Sequence, residues 1–525
     1  MAQETNGTTT LGANRAKIAE LRERKAKLRE MGGKDRIEKH HAQGKLSARE
    51  RIESLVERDS FQEFFLFAKH RATFFGLEKQ EFPADGVVTG AGNVDGRQIH
   101  LASQDFTVSG GAVGEVHADK IVEMMKLSLK TGTPFVFIND SGGARIQEGI
   151  DSLGAYGRIF FHNTLLSGVV PQLSLICGPC AGGAAYSPAL TDFIIQTRGA
   201  QMFITGPAVI KQVTGENVSA EDLGGPMNQM AKAGNIHFIA ENDQHAAEIA
   251  RKLLSFLPSN NLEDPPMRPH NGNVAYDDQL IDIVPDDPKR GYDMREIVKR
   301  LVDDADFLEV QEHFAKSCIV GFARILGRVV GIVGNQPCAM AGVLDIDSSD
   351  KIARFVRFCN AFNIPLVNLV DVPGFLPGVQ QEYSGIIRHG AKVLFAYSAA
   401  TVPKVTIVLR KAYGGAYVAM CCKDLGADRT AAWPTAEIAV MGAEGAVAVV
   451  FKKEIDAAED KEKRRAELIK EYRDTFSSPY MAASRRLIDN IIDPGDTRAY
   501  IAQALETLHT KRELRPEKKH GLMPL

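Results

Sequence analysis

The chain has 525 residues, 44% of them hydrophobic and 25% charged, which is typical of globular proteins and excludes wholesale disorder. At roughly 150 residues per domain, this length predicts several domains. A formal net charge of −3 gives no basic excess that would indicate nucleic acid or an anionic membrane as a partner. No apolar run is long enough to cross a membrane, and the polar first residues lack the apolar core of a signal peptide. With seven cysteines and no export signal, we expect a cytoplasmic protein with free thiols.

The two ends of the chain are rich in charged residues. Residues 1–12 are predicted to form a disordered tail, and residues 13–58 have the composition of helices. This helical segment is interpreted as a solvated hairpin, with a basic collar beside an anionic ligand as the alternative. Residues 452–525 are also charged and predicted to be helical.

The centre of the chain contains an internal repeat that predicts the architecture. A helix that begins at Asp119-Lys120 leads to the strand FVFIND, and one that begins at Asp350-Lys351 leads, over the same distance, to LVNLVD. Each strand is followed by a Gly-rich loop, a helix, a second apolar strand and a double glycine. Apolar strands that alternate with helices predict an α/β fold with a largely parallel sheet and right-handed crossovers.

The repeat divides the chain into two homologous units. The first is predicted over residues 13–258 and the second over residues 274–525. The stretch 259–273 is rich in Pro, Asn and Asp and is predicted to be the linker between them.

The most informative local feature is a double glycine after a buried strand, present once in each unit. Gly182 and Gly183 follow LSLICGPCA, and Gly414 and Gly415 follow VTIVLRKAY. A glycine pair permits a sharp turn and exposes consecutive N–H groups, which suit a developing oxyanion such as a thioester enolate. The alternative is that small residues merely allow a helix to pack closely on a strand. Two copies at equivalent positions favour the functional interpretation.

Two further loops, DSGGARIQEG and DVPGFLPGVQQEYSG, follow aligned strands. Loops at the carboxyl ends of parallel strands form the ligand site of many α/β proteins. A phosphate cradle formed by these loops is one interpretation, and a Gly-rich turn with a purely structural role is the other. The ligand-binding residues predicted in these loops are Gly142, Gly143, Ala144, Arg145, Gly374 and Phe375.

Other motifs are better explained by structure than by chemistry. Cys177-Gly-Pro-Cys180 matches a redox tetrapeptide, but the aligned positions of the second unit lack cysteines. The sequence Met124-Met125-Lys126 is similar to a biotin-attachment site but lies in a helix-periodic stretch. His40-His41 has no second pair of ligands at metal spacing, so we expect no metal. No phosphate-binding loop of the GxxxxGK[ST] type is present, so ATP use by this chain is not expected.

A side-chain base is hard to identify. Several residues could serve, but nothing in the sequence pairs them as an acid–base couple, and such residues more often cap helices or form ion pairs. The candidates are His117, Asp140, Glu148, Asp371, Glu382 and His389.

The blocks SQDFTVSGGAVGE, DSGGARIQEGIDSL, GPCAGGAAYSPALTDF and DVPGFLPGVQQEYSGIIRHGAK resemble the carboxyltransferase components of biotin-dependent acyl-CoA carboxylases. The likeness extends over residues 13–520. Within that family, HRATFFGLEKQEFPADGVVTG and MCCKDLGAD are most similar to the methylmalonyl-CoA carboxyltransferase (transcarboxylase) branch, followed by the propionyl-CoA carboxylase β chains. The resemblance implies two tandem crotonase-like (ClpP/crotonase) units in each chain and a homohexamer.

The resemblance also implies a reaction. Acyl-CoA, with coenzyme A as part of the substrate, would bind the first unit, and carboxybiotin the second. The biotin would be carried by a biotin carboxyl carrier protein, and a biotin carboxylase or a second carboxyltransferase subunit would be a further partner. Gly182 and Gly183 would stabilise the acyl-CoA enolate, and Gly415 and Ala416 the ureido oxygen of biotin. The biotin anion would remove the α-proton, which accounts for the absence of a convincing side-chain base.

The biotin side of the predicted site includes Gly414 and Val418. The residue that corresponds to Val418 is acidic in some propionyl-CoA enzymes, so an apolar residue here argues against strict propionyl-CoA specificity. Acetyl-CoA and malonyl-CoA therefore remain alternative substrates.

Three other functions are open at this point. A transcarboxylase or a biotin-dependent decarboxylase subunit would use the same site and differ in its partner chains. A crotonase-like enoyl-CoA hydratase or isomerase would need a carboxylate base in the pocket. A non-catalytic assembly core would have no need of both glycine pairs.

Overall fold

The protein is described from a computed structural model that covers residues 7–270, 272 and 274–525, with the side chains of residues 7–11 left out. The chain divides into two compact units, of which the first ends at Ser255 and the second begins at Phe256. Half of the predicted disordered tail, residues 1–6, lies outside the described residues. Residues 7–12 are helical and form the start of the first helix, which corrects the prediction for that half.

The described part of the first unit contains eight strands and ten helices. Three of the helices precede its central sheet, so the helical prediction for residues 13–58 is confirmed. The prediction of a solvated hairpin is wrong, because there are three helices and the third buries Ala48, Arg51, Ile52 and Leu55. Its elements are α1 (Gly7–Arg29), α2 (Lys34–His41), α3 (Ala48–Leu55), β1 (Gln62–Phe64), β2 (Val87–Val94), β3 (Arg97–Gln104), α4 (Glu115–Thr131), β4 (Phe135–Ser141), α5 (Ile150–Leu166), β5 (Gln172–Ala181), α6 (Gly183–Ala189), β6 (Phe193–Thr197), β7 (Gln201–Phe203), α7 (Pro207–Thr214), α8 (Ala220–Gly224), α9 (Pro226–Ala231), β8 (Phe238–Ala240) and α10 (Asp243–Leu254).

The second unit begins with two helices and then repeats the strand order of the first. Its elements are α11 (Gln279–Ile283), α12 (Met294–Leu301), β9 (Leu308–Val310), β10 (Cys318–Ile325), β11 (Arg328–Asn335), α13 (Ile346–Ala361), β12 (Leu366–Val372), α14 (Val379–Tyr383), α15 (Ile386–Ala399), β13 (Lys404–Tyr413), α16 (Gly414–Ala419), β14 (Arg429–Ala432), β15 (Glu437–Ala439), α17 (Ala443–Val450), α18 (Lys452–Ala457), α19 (Lys461–Tyr472), α20 (Pro479–Ser484), β16 (Asn490–Ile491) and α21 (Thr497–Leu508).

Each unit is built on a central sheet, and the two sheets have the same topology. The first has the order β1-β2-β3-β4-β5-β6-β8, and the second has the order β9-β10-β11-β12-β13-β14-β16. The first three strands of each are antiparallel and the rest are parallel. A short extra strand, β7 or β15, pairs with the carboxyl end of β5 or β13. This is the predicted α/β fold with a largely parallel sheet in each unit.

The predicted central strands are buried along their whole length. Every residue of β4 and of β12 is buried, as expected for parallel strands covered on both faces. In the second unit the apolar core includes Leu369, Ile407 and Trp433, with Ile501 of α21 packed into the same cluster. Burial of these apolar side chains is the main source of stability of the sheet.

A buried lysine occupies the same position in both repeats. Lys120 donates hydrogen bonds to the carbonyl oxygen of Ala84, at 2.6 Å, and to that of Val87. Its counterpart in the second repeat, Lys351, donates to three backbone carbonyl oxygens at 2.8–3.0 Å. Burial lowers the pKa of Lys120 to about 7. The backbone carbonyls solvate the ammonium group, so these lysines fix the segment that leads into each sheet.

Candidate active site

The first glycine turn connects β5 to α6. Gly182 has φ 61° and ψ −129°, a backbone conformation that only glycine adopts without strain, and α6 begins at the next residue. The N–H of Gly182 donates a hydrogen bond of 3.0 Å to the carbonyl oxygen of Phe203, at the end of β7. The neighbouring strand therefore fixes the turn at the carboxyl edge of the sheet.

This hydrogen bond changes the predicted role of Gly182. Its N–H is already engaged, so Gly182 shapes the turn, and the predicted donation from this N–H to an enolate does not fit the geometry. Gly183 and Ala184 follow in the first turn of α6, where N–H groups have no acceptor within the helix. They are the first-unit equivalents of Gly415 and Ala416 in the second repeat.

The second glycine turn has a similar φ but more space around it. Gly414 has φ 59°, and α16 begins there. No heavy atom lies within 4 Å of the position that a Cβ on Gly415 would occupy. At Gly183 the equivalent position is 3.3–3.4 Å from the ring of Tyr156. The first turn therefore lies against an aromatic ring, whereas the second is open.

The loops that follow β4 and β12 are fixed by the same pattern of backbone hydrogen bonds in both units. Val113 donates to the carbonyl oxygen of Gly143 at 2.9 Å and accepts from the N–H of Arg145 at 2.9 Å. Gly143 has φ 106°, which places its backbone close to the end of β5. Gly142 and Ala144 lie in the same loop, and Gly142 donates to the carbonyl oxygen of Gly110 at 3.0 Å. This loop is adjacent to the first glycine turn.

The corresponding loop of the second unit contains Gly374 and Phe375. Leu344 donates to the carbonyl oxygen of Gly374 at 3.1 Å and accepts from the N–H of Leu376 at 2.7 Å. The ring of Phe375 lies 3.1 Å from the position of a Cβ on Gly390, so it packs on α15. Phe375 is therefore fixed by packing as well as by the backbone.

Arg145 does not have the setting expected of a phosphate ligand. Its side chain is 1% exposed, and its guanidinium donates hydrogen bonds of 2.7 Å to Asp85 and to Glu148 and one of 3.1 Å to the carbonyl oxygen of Ala112. The guanidinium also lies over the ring of Phe82, at 4.7 Å. This geometry contradicts the prediction of a phosphate contact and makes Arg145 a structural residue that holds the loop.

A buried aspartate ends the central strand in each unit and is neutralised in two different ways. Asp140, at the end of β4, accepts a hydrogen bond of 2.8 Å from Arg51 on α3. Its second-unit equivalent, Asp371, accepts one of 3.0 Å from Arg410 on the neighbouring strand β13. The first unit has Gly178 at the position of Arg410, and an added Cβ there would lie 2.0 Å from an Asp140 oxygen. In the first unit the arginine that pairs with the aspartate therefore comes from helix α3 and not from the neighbouring strand.

The candidate bases are mostly engaged in such contacts. Asp140 and Asp371 are paired with arginines, and Glu148 with Arg145. His117 is fully buried, with Nδ1 2.8 Å from the carbonyl oxygen of Asp85, and burial holds its pKa well below the ordinary value. His389 contacts Asp350 at 2.9 Å, and Glu382 lies on α14 and is exposed. None of these six described residues forms an acid–base couple with another of the set.

Several features were not identified from the sequence. The carbonyl oxygen of Phe203 accepts the hydrogen bond from Gly182, but alignment of the two repeats gives only an approximate position for its strand. Nothing in the sequence indicates the contact of Tyr156 with Gly183. Ala184 could have been found from the repeat, since it aligns with Ala416.

The cysteine pair and the lysine motif that the sequence analysis explained by structure are part of the folded core or of a helix. Cys177 and Cys180 are buried free thiols, and burial raises the pKa of both. Lys126 lies on α4 and contacts Glu123 at 2.7 Å. Among the described residues, no group of three His, Cys, Asp or Glu side chains could hold a metal ion. In the same described part of the chain, the helices are all too short or too polar to span a bilayer.

The chain thus has two tandem α/β units, each with a glycine turn at the carboxyl edge of a largely parallel sheet. The profile of the carboxyl transferase domain matches residues 39–523. The methylmalonyl-CoA carboxyltransferase 12S subunit of Propionibacterium freudenreichii subsp. shermanii is 59% identical over 521 residues, 99% of each chain. The methylmalonyl-CoA decarboxylase subunit alpha of Veillonella parvula is 54% identical over 97% of this chain and 99% of its own. The transcarboxylase 12S crystal structure with methylmalonyl-coenzyme A and methylmalonic acid bound has a TM-score of 0.96 at 58% identity, over 100% of both chains.

The chain belongs to the carboxyl transferase family. The predicted resemblance, the fold class and the assignment as an enzyme of the carboxyltransferase class are confirmed.

Proposed function

We propose that this chain moves a carboxyl group between carboxybiotin, carried by a partner protein, and the α-carbon of a short-chain acyl-CoA. The pair propionyl-CoA and methylmalonyl-CoA is favoured by the names of the relatives at 52–59% identity. The observation that carries the proposal is the duplicated glycine turn, with Gly182 and Gly414 at φ 61° and 59°. Two equivalent turns suit a reaction in which negative charge develops on two different oxygens.

The first turn stabilises the acyl-CoA enolate in this proposal. Gly183 and Ala184 donate their N–H groups to the thioester oxygen as the α-carbon loses its proton. Fixed donors of this kind act mainly on the charge that develops in the transition state, because they need no reorganisation when it forms. Gly182 contributes by holding the turn through its hydrogen bond with Phe203.

The second turn fits the ureido ring of biotin. The space beside Gly415 is open, and the side chains of Val418 and Val440 near this turn are 37% and 85% exposed, so apolar surface is available beside the donors. Gly415 and Ala416 would donate to the ureido oxygen. Carboxybiotin, when bound, supplies the carboxyl group and then the base. Val418 carries no charge, which is compatible with more than one short acyl group on the substrate.

Assembly and partners form part of the proposal. Large apolar side chains are exposed on the helices that follow the Gly-rich loops, including Ile150, at 75%, and Ile387, at 80%, and such surface is typical of interfaces between subunits. The transcarboxylase 12S structure is that of a hexamer assembly, and we propose a homohexamer here, with a biotin carrier as partner. All seven cysteines are free, which supports a reducing cytoplasm as the location.

The test is carboxyl transfer from methylmalonyl-CoA to free biotin at high concentration, without ATP. We expect transfer by the purified chain. Gly415→Val should then keep propionyl-CoA binding in calorimetry but lose most transfer, whereas Gly415→Ala, whose added Cβ meets nothing within 4 Å, should stay near wild type. Hydration of an enoyl-CoA without any carboxyl transfer would contradict the proposal.

A further inference from the structure

A chain of side-chain contacts begins at the second glycine turn. The hydroxyl of Tyr413, the residue before Gly414, donates a hydrogen bond to Glu437 on β15. Glu437 also lies 3.4 Å from the guanidinium of Arg473, which donates a hydrogen bond of 2.6 Å to Glu444. These contacts connect the turn to the C-terminal part of the second unit.

Arg473 joins the two sides of the loop that follows β15. Glu437 lies on β15, before this loop, and Glu444 lies in the first turn of α17, after it. Arg473 begins a π-helical turn, Arg473–Ser477, that directly follows α19. One guanidinium on the C-terminal helices is therefore in contact with the carboxylates at both ends of loop 440–442.

Loop 440–442 lies against the glycine turn. The carbonyl oxygen of Val440 is 3.1 Å from the position that a Cβ on Gly414 would occupy. The ring of Tyr413 is 3.2 Å from the corresponding position on Gly442. Close-packed groups cannot shift independently, so the position of the turn depends on the position of this loop.

The first unit lacks this chain of contacts. The residues at the positions of Tyr413 and Glu437 are Ala181 and Gln201, which cannot form the same pair. The two turns nevertheless have nearly the same backbone, with φ of 61° and 59°. The fold can therefore form the turn without these side chains, and the chain of contacts is an addition found at the more open of the two turns.

We infer that Tyr413, Glu437 and Arg473 are positioning residues that hold loop 440–442 against the second turn and so shape the site for the ureido ring of biotin. The inference rests on the proposed function, which places biotin at this turn. The three residues act through the backbone of the loop and do not touch the reacting atoms. A site that is already ordered binds its ligand more tightly, because less conformational entropy is lost on binding. A looser loop should therefore weaken the use of biotin more than it slows the chemical step.

The first experiment compares Arg473→Met with Arg464→Met in the full-length protein. Both arginines bridge two glutamates in the C-terminal part of the second unit, and their side chains are 34% and 37% exposed. The glutamates that Arg464 contacts lie on α18 and α19, and not beside the loop.

The reaction is transfer from methylmalonyl-CoA to free biotin at a series of biotin concentrations. In Arg473→Met the KM for biotin should rise about 10-fold, an effect of the size expected when a hydrogen bond to a charged group is lost. Its kcat should stay close to the wild-type value, since the lost interaction acts on binding. Arg464→Met should keep the wild-type KM.

A second pair of variants tests the other end of the chain of contacts. Tyr413→Phe removes the hydroxyl, keeps the ring and should also raise the KM for biotin. Tyr276→Phe removes a hydrogen bond of 3.0 Å to Asp493 elsewhere in the second unit and should not. Combining Tyr413→Phe with Arg473→Met should raise the KM by less than the product of the two single effects, because both act through Glu437.

Hydrogen exchange reports the order of the loop without any reaction. The backbone N–H groups of residues 439–444 should exchange faster in Arg473→Met than in the wild-type protein, and at the wild-type rate in Arg464→Met. Unchanged exchange in Arg473→Met would overturn the inference, as would an equal rise in KM in the control variants. Absence of transfer by the wild-type protein would count against the proposed function. Wild-type transfer with an unchanged KM in both Arg473→Met and Tyr413→Phe would count against the positioning residues alone.

Discussion

Replacement of Arg51 by Met should unfold the first unit at a much lower temperature. Arg51 is 2% exposed and donates hydrogen bonds of 2.8 Å to both Asp140 and Asp243, which are 0% and 4% exposed. Met has a similar length but no charge, so two buried carboxylates would lose their cation. Breaking a buried ion pair by removing one partner costs about 3–5 kcal/mol. At about 2–4 °C per kcal/mol for a unit of this size, the melting temperature should fall by roughly 6–20 °C.

The pH dependence of this effect follows from the carboxylates. Burial raises the pKa of Asp140, but the charge of Arg51 and the hydrogen bonds from His40 and Arg51 outweigh it and leave the pKa lowered. In the wild-type protein, ionised Asp140 stabilises the fold fully at pH values above its ordinary pKa of about 3.9. This stabilisation is lost as the pH falls through the lower pKa that Asp140 has in the folded protein. Without Arg51, burial dominates and the pKa of Asp140 is raised. The difference in melting temperature between Arg51→Met and the wild-type protein should therefore become smaller as the pH falls from 8 to 5.

Scanning calorimetry at both pH values measures the effect. Arg58→Met is the control, because the Arg58 side chain is 96% exposed and its contact with Asp59 should contribute only about 0–1 kcal/mol. Combining Arg51→Met with Asp140→Asn should restore part of the loss, since one buried charge is removed. A fall of no more than 2 °C at pH 8, or a gap that widens as the pH falls, would refute the reasoning.

Two smaller substitutions test the packing of each unit. Thr497→Val removes the oxygen that accepts the 2.9 Å hydrogen bond from the indole of Trp433, and should cost about 1–3 kcal/mol because both residues are buried. Urea unfolding followed by tryptophan fluorescence reports it directly, since Trp433 is the single tryptophan, and an unchanged midpoint would contradict the assignment. Gly157→Ala on α5 should stabilise the first unit by about 0.5–1 kcal/mol, because a Cβ there meets no atom within 4 Å. A lower melting temperature for Gly157→Ala would contradict this expectation and show that the added methyl group meets other atoms in the protein in solution.

The sequence by itself determined the repeated fold and the position of the glycine turns. Fully buried strands such as β4 and β12 are rich in apolar residues, and their matching places in the two repeats are visible without any tertiary contact. A turn with φ near 60° favours glycine, so Gly182 and Gly414 mark it locally. The family blocks extend over nearly the whole chain, which is why the enzyme class could be predicted as well.

Only the tertiary structure decided which groups of the site remain available. The N–H of Gly182 donates a hydrogen bond to the carbonyl oxygen of Phe203. Arg145 forms an ion pair with Asp85, which is distant along the chain. The ring of Tyr156 reaches Gly183 from a different helix. Local patterns predict where backbone and side chains can turn, whereas hydrogen-bond partners depend on which distant segments the packed sheet brings together.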